Sequence, residues 1–176
     1  MHHNVKNNQI SGGLSLLWAL EEAGLWLFHG SSREIAVFEP KQAFNVDSAS
    51  GKQVLDGAPA ICAAATAAPA IFRAMINRDF DTAEHHVSGW TFDNQGQYVY
   101  YTTHTAALAA LKPTQPVGYV HVLKREAFEH WGGDEWRRYA PIAPDLVIEV
   151  TQKDLPSKIT IVEPVSLSDT SRRQAA

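Results

Sequence analysis

Leu25-Trp26-Leu27-Phe28-His29-Gly30-Ser31-Ser32 decides how this chain is read, because an apolar run breaks off abruptly at His-Gly-Ser. Its first four residues are apolar and aromatic-rich, the composition of a short buried strand. A histidine at the end of such a strand, followed by glycine, brings a ring nitrogen and bare backbone together. Glycine lets the chain bend away and lets another group approach the main chain closely. The bland reading of the same residues is a strand-end histidine capping a turn.

Working outward, residues 14–23 place Leu14, Leu17, Trp18 and Leu20 at helical spacing and stop at Gly24. A helix therefore leads straight into the strand. Residues 31–57 carry Glu39-Pro40, the polar run 45–51 and Asp56-Gly57, and read as one long loop. In a compact domain such a loop is more often functional than filler. Residues 58–64 form a second short strand and residues 69–77 a helix, with Pro69 near its start, where a missing N–H costs nothing.

Residues 84–92 and 97–103 flank Asp93-Asn94-Gln95-Gly96 as a hairpin. A short helix is expected at 105–111, a strand at 117–123, a helical turn at 125–131 and a strand at 135–142. Residues 146–151 and 159–162 are read as a closing antiparallel pair. The organisation is a flexible lead-in at 1–12, a single domain at 13–165 and a disordered tail at 166–176. The class is α+β, with a bent or split antiparallel β-sheet core and short helices.

At 176 residues the chain suits one well-buried domain, and 45% hydrophobic against 19% charged residues is a globular balance. A net charge of −4, with no basic run longer than Arg172-Arg173, argues against strong non-specific nucleic-acid binding. Cys62 is the single cysteine, so a disulfide framework and a cysteine-based zinc site are excluded. Its alanine-rich flanks suit a buried small hydrophobe better than a nucleophile. The polar first nine residues do not read as a signal peptide, and no window holds the run of apolar residues that a membrane span needs. The expected setting is cytoplasmic, without membrane contact.

Chemistry concentrates in three segments: His29-Gly30-Ser31; Ala60-Ile61-Cys62-Ala63 followed by Ala67-Ala68-Pro69-Ala70-Ile71-Phe72; and Asp134-Glu135-Trp136. His85 and His86 are adjacent and would point to opposite faces of a strand, and His104, His121 and His130 lack metal-ligand spacing, so no metal is expected. Trp90, Tyr98, Tyr100 and Tyr101 read as cross-strand packing pairs. Hydrolase-elbow, phosphate-loop and zincin motifs are absent from the sequence.

In those three segments the chain resembles the ADP-ribosyltransferase superfamily, in its diphtheria-toxin/poly(ADP-ribose) polymerase branch. The resemblance implies that NAD is the substrate and that His29 bonds a ribose hydroxyl. It further implies that the Gly30 backbone, beside Ser31, holds the nicotinamide carboxamide, for which one peptide supplies both a donor and an acceptor. Phe72 falls where the family has a tyrosine, keeping the ring and losing the hydroxyl. The serine or threonine that often supports the histidine is replaced by Ala63, Ala64 and Ala65, with Thr66 the candidate substitute.

Glu135 matches the catalytic glutamate. Breaking the nicotinamide–ribose bond builds positive charge on the sugar, which a carboxylate stabilises more in the transition state than in the ground state. Nicotinamide leaves from a cationic state, so no general acid is needed. The acceptor, a protein, a nucleic acid or water, is implied to be chosen by residues 44–57 and the segment before Glu135. A glutamate two residues upstream would hint at an arginine acceptor, but Gly133 stands there. Two alternatives stay open: a non-catalytic nucleotide- or partner-binding module on the same fold, favoured by the missing tyrosine hydroxyl and the alanine-rich second segment, and a structural or interaction domain in which His-Gly-Ser is a coincidence, Phe72 is ordinary core and Glu135 is solvated.

Overall fold

The computed structural model describes residues 13–46, 53–76, 88–103 and 117–162. The expected lead-in, the helix at 105–111 and the tail lie outside the described residues. Two helices and eleven strands are described: α1 (Gly13–Ala23), β1 (Trp26–Ser31), β2 (Phe44–Val46), β3 (Gln53–Leu55), β4 (Ile61–Ala64), α2 (Ala67–Met75), β5 (Ser88–Phe92), β6 (Tyr98–Thr103), β7 (Gly118–Lys124), β8 (Glu129–Gly132), β9 (Glu135–Arg138), β10 (Leu146–Val150) and β11 (Ile159–Val162). The fold is mixed α+β, with mostly antiparallel sheets. No helix among the described residues is long and apolar enough to cross a membrane.

The helix α2 organises the core. Ala67, Pro69, Ala70, Ile71, Phe72, Ala74 and Met75 are all buried, so the helix is apolar on almost every side. A helix of that kind belongs between layers. One layer is a six-stranded antiparallel sheet in the order β10-β7-β1-β4-β9-β8; the other is a three-stranded sheet, β11-β6-β5. Phe28, Val120, Val122, Ile148 and Val150 reach α2 from the first sheet, and Tyr100 reaches it from the second. On the opposite face of the large sheet, Leu27, Ile61, Ala63 and Leu123 pack with Phe38 and Phe128 in a second cluster. Strand alternation sorts these two sets.

Two glycines let α2 lie against the large sheet. A Cβ on Gly30 would stand 1.8 Å from the carbonyl oxygen of Ala70, and one on Gly118 would stand 2.6 Å from that of Ala74. Ala70 and Ala74 are one turn apart, so the helix rests on a glycine from each of the neighbouring strands β1 and β7. The glycine after His29 is thus explained first by helix–strand packing.

Several elements differ from expectation. The segment 125–131 is not one helical turn: a 3-10 turn covers Arg125–Ala127 and edge strand β8 follows. The two closing strands do not pair with each other. β10 extends the large sheet beside β7, and β11 runs parallel to β6 in the other sheet. In the large sheet β10 buries Ile148 and Val150, whereas β11 stays at the surface of its sheet. The loop after β1 also has more order than expected, since β2 and β3 form a hairpin and bridges join Phe38 to Ile142 and Lys41 to Ala60.

Candidate functional site

Strands β1 and β4 are in register only at Phe28↔Ala64. Past that pair, the His29 ring reaches across to the neighbouring strand and its Nδ1 donates to the Cys62 carbonyl at 2.7 Å. A carbonyl can only accept, so Nδ1 carries the proton and Nε2 is left as an acceptor. Burial, set against the Cys62 bond and assisted by Lys41, lowers the His29 pKa. The ring is therefore neutral near pH 7. It packs edge-on against Phe38 at 4.7 Å. Behind it, His121 Nε2 accepts from the Ile35 amide at 2.9 Å, and burial pulls the His121 pKa down to about 4.

A cavity of about 580 Å³ opens beside this junction. His29 and Gly30, Cys62, Ala63, Pro69 and Ala70, and Glu135 line it, so residues of all three sequence segments meet there. The faces of the sheet qualify that meeting. Register puts Phe28, Ala64 and Glu135 in one line on the α2 side, whereas His29 alternates to the other side. The imidazole and the carboxylate thus leave the sheet on opposite faces, and both residues border the one cavity.

Ser31 does not join them; its Oγ accepts from the Arg33 amide at 3.2 Å. Phe72 does not line the cavity either. It is fully buried, with its ring 4.9 Å from that of Tyr100. The reason is helical phase: Pro69, Ala70 and Arg73 form the cavity wall, and Phe72 lies roughly 100° around α2 from that line. Aromatic rings instead come from the second sheet, where Trp90, Phe92 and Tyr98 line the cavity. The cross-strand packing expected of Trp90 and Tyr100 also exists, with their rings 6.4 Å apart.

Glu135 sits at the start of β9 with its side chain 40% exposed, and its Oε1 accepts from Arg137 Nε at 2.5 Å. Arg137 is buried, and its Nη2 donates to Asp56 Oδ2 at 2.9 Å. Its guanidinium lies 4.1 Å from the centre of the Trp131 ring. Cys62 also lines the cavity, beside Glu135. Burial, then the negative charge of Glu135, pushes its thiol up to about 11, so it is neither ionised nor nucleophilic at neutral pH.

One residue before Glu135, Asp134 closes the start of α2. Its carboxylate accepts from the Ala65 amide at 2.8 Å, the Thr66 amide at 3.3 Å and Thr66 Oγ1 at 2.5 Å. It also accepts from the Tyr98 hydroxyl. Burial, then that bond, raises the Tyr98 pKa, which keeps the donor protonated. Thr66, the candidate support for the histidine, is thus spent on Asp134, and the Cys62 carbonyl orients His29 instead.

Sequence reasoning missed Asp56, Arg73 and Arg137. The last had a signal: Glu135 and Arg137 are two apart on a strand and so share a face. No protein-family model matches the chain, and no curated protein or solved structure matches it.

Proposed function

We propose that the cavity binds NAD and that the protein cleaves the nicotinamide–ribose bond, passing ADP-ribose to an acceptor nucleophile or to water, on an ADP-ribosyltransferase-like split sheet. The observation carrying this reading is that a neutral His29, with Nε2 as acceptor, and Glu135 line one cavity. Its volume falls within the range of small-molecule sites, about 300–1,000 Å³. Trp90, Phe92 and Tyr98 offer ring faces to a flat pyridinium, which cation–π attraction favours.

In this mechanism His29 Nε2 accepts from a ribose hydroxyl and holds the sugar. Glu135 lies against the sugar as the C–N bond breaks. The bonding pair leaves with nicotinamide, which departs neutral, and the cationic sugar is stabilised by the carboxylate. The acceptor then donates a lone pair to the sugar carbon and loses its proton.

Phe72 has no part in this account; the ring wall comes from the second sheet. The Arg137 contact to Glu135 favours a second reading, a binding module that holds NAD without cleaving it. Glu135→Gln separates the two. It retains NAD affinity and lowers nicotinamide release by about 100-fold or more if the carboxylate acts on the transition state. His29→Ala weakens NAD binding. Equal turnover by the Gln variant removes the role given to Glu135, and NAD binding without any release by the wild type establishes the binding module.

A further inference from the structure

Arg137 presents a difficulty for any reaction that relies on the negative charge of Glu135. A guanidinium bonded to that carboxylate at 2.5 Å cancels most of its field at short range. It is also 2% exposed, so water does little to screen it. A lone Glu135–Arg137 pair would therefore present almost no net charge to a cationic sugar.

Asp56 changes that balance. Its Oδ2 takes Arg137 Nη2 at 2.9 Å, and its backbone oxygen takes Nη1 at 3.0 Å. Two carboxylates on one guanidinium leave the cluster with a single net negative charge. Asp56 and Glu135 both line the cavity. The loop is shaped to place Asp56 there. Gly57 follows it at φ +73°, and a Cβ on Gly57 would stand 3.0 Å from Arg137 Nη1. That backbone conformation favours glycine, and a side chain there would press on the end of Arg137. Trp131, 55% exposed, covers the guanidinium from the outside at 4.1 Å.

We propose that Asp56 is a positioning residue for Glu135, acting through Arg137: it takes up the guanidinium's charge, so that Glu135 keeps a net negative field toward the reacting sugar and stays fixed in direction. The long segment after β1 is thereby tied to the reaction through a single side chain. This inference rests on the NAD-cleavage reading of the same cavity.

The test is Asp56→Asn, which removes the charge and keeps an oxygen that accepts from Nη2. Initial rates of nicotinamide release from NAD are measured alongside thermal melting. The expected result is a kcat lowered by roughly tenfold or more, with KM and melting temperature close to wild type, because the charge matters to the transition state. The pair Asp56→Asn with Arg137→Gln removes both charges, restores the cluster's net charge and recovers part of the lost kcat. A kcat unchanged in Asp56→Asn overturns the inference and leaves the NAD reading standing. A raised KM with a lowered melting temperature makes Asp56 a structural tie and also overturns it. A wild type that releases no nicotinamide overturns both, and so is distinguishable from the first two results.

Discussion

Replacing Gly30 by alanine would set a methyl group 1.8 Å from the Ala70 carbonyl oxygen, where ordinary contact starts near 3.4 Å. Neither partner is a flexible side chain: one is the backbone of β1 and the other is the backbone of α2. The helix must therefore recede by about 1.5 Å, a shift large enough to forfeit a substantial part of each dispersion contact it makes. Those contacts join Ala70, Ile71 and Ala74 to Phe28, Val120 and Val122, all almost fully buried. Overpacking of this kind costs about 3 kcal/mol or more. A domain of this size has only about 5–15 kcal/mol in total. Urea unfolding followed by circular dichroism should thus show a large drop in midpoint, or no folded protein. Gly132→Ala is the control, because nothing lies within 4 Å of its added Cβ. It should change stability by less than about 0.5 kcal/mol. If Gly30→Ala unfolds at the wild-type midpoint, close packing of α2 is not what requires the glycine.

Acid should destabilise the fold through its buried histidines. Both His29 and His121 have folded-state pKa values below the ordinary 6.5, so the native state binds fewer protons than the unfolded chain. Their contribution is complete above pH 6.5 and is lost as pH falls toward about 4. For His121 alone the loss is on the order of 3 kcal/mol. Urea midpoints measured from pH 7.5 to 4 should fall across that window in the wild type and fall less in His121→Gln; parallel curves for the two proteins would refute the assignment. Asp134→Ala removes the carboxylate that accepts from the Thr66 amide, the Thr66 hydroxyl and the Tyr98 hydroxyl at the start of α2, while the Ala65 amide keeps the backbone carbonyl of residue 134. Charge-assisted bonds of this kind make the expected cost about 2–4 kcal/mol, with Asp134→Asn milder; an Ala variant with a wild-type melting temperature would show that Asp134 does not hold the helix start.

Much of the architecture was legible because periodicity reports burial. The alternation of β7 and the turn signal Asp93-Asn94-Gln95-Gly96 each matched a real element. Strand β8 was not legible: all its residues are exposed, so it carries no apolar alternation, and the 3-10 turn before it looks helical. Partner choice for β10 and β11 was equally hidden, because pairing depends on which sheet edges the tertiary fold leaves open, and local sequence does not carry that. Of the residues that line the cavity, His29, Gly30 and Glu135 are the ones that local sequence singles out. Phe72 was misplaced because α2 is apolar almost all round, and such a helix gives no phase from which to tell its cavity side from its core side. Asp56 could not be named at all. It meets Arg137 across 81 residues of chain, through a loop whose path is set by tertiary bridges.

The central claim is that the His29 imidazole and the Glu135 carboxylate, from two residues that border one cavity, act on a single NAD molecule. It is tested most directly by incubating the wild-type protein with NAD alone and quantifying free nicotinamide by liquid chromatography over time. The account predicts release proportional to protein concentration, slowed by Glu135→Gln and saturating with NAD. Nicotinamide no higher than in the protein-free blank, at NAD concentrations that saturate binding, would contradict it.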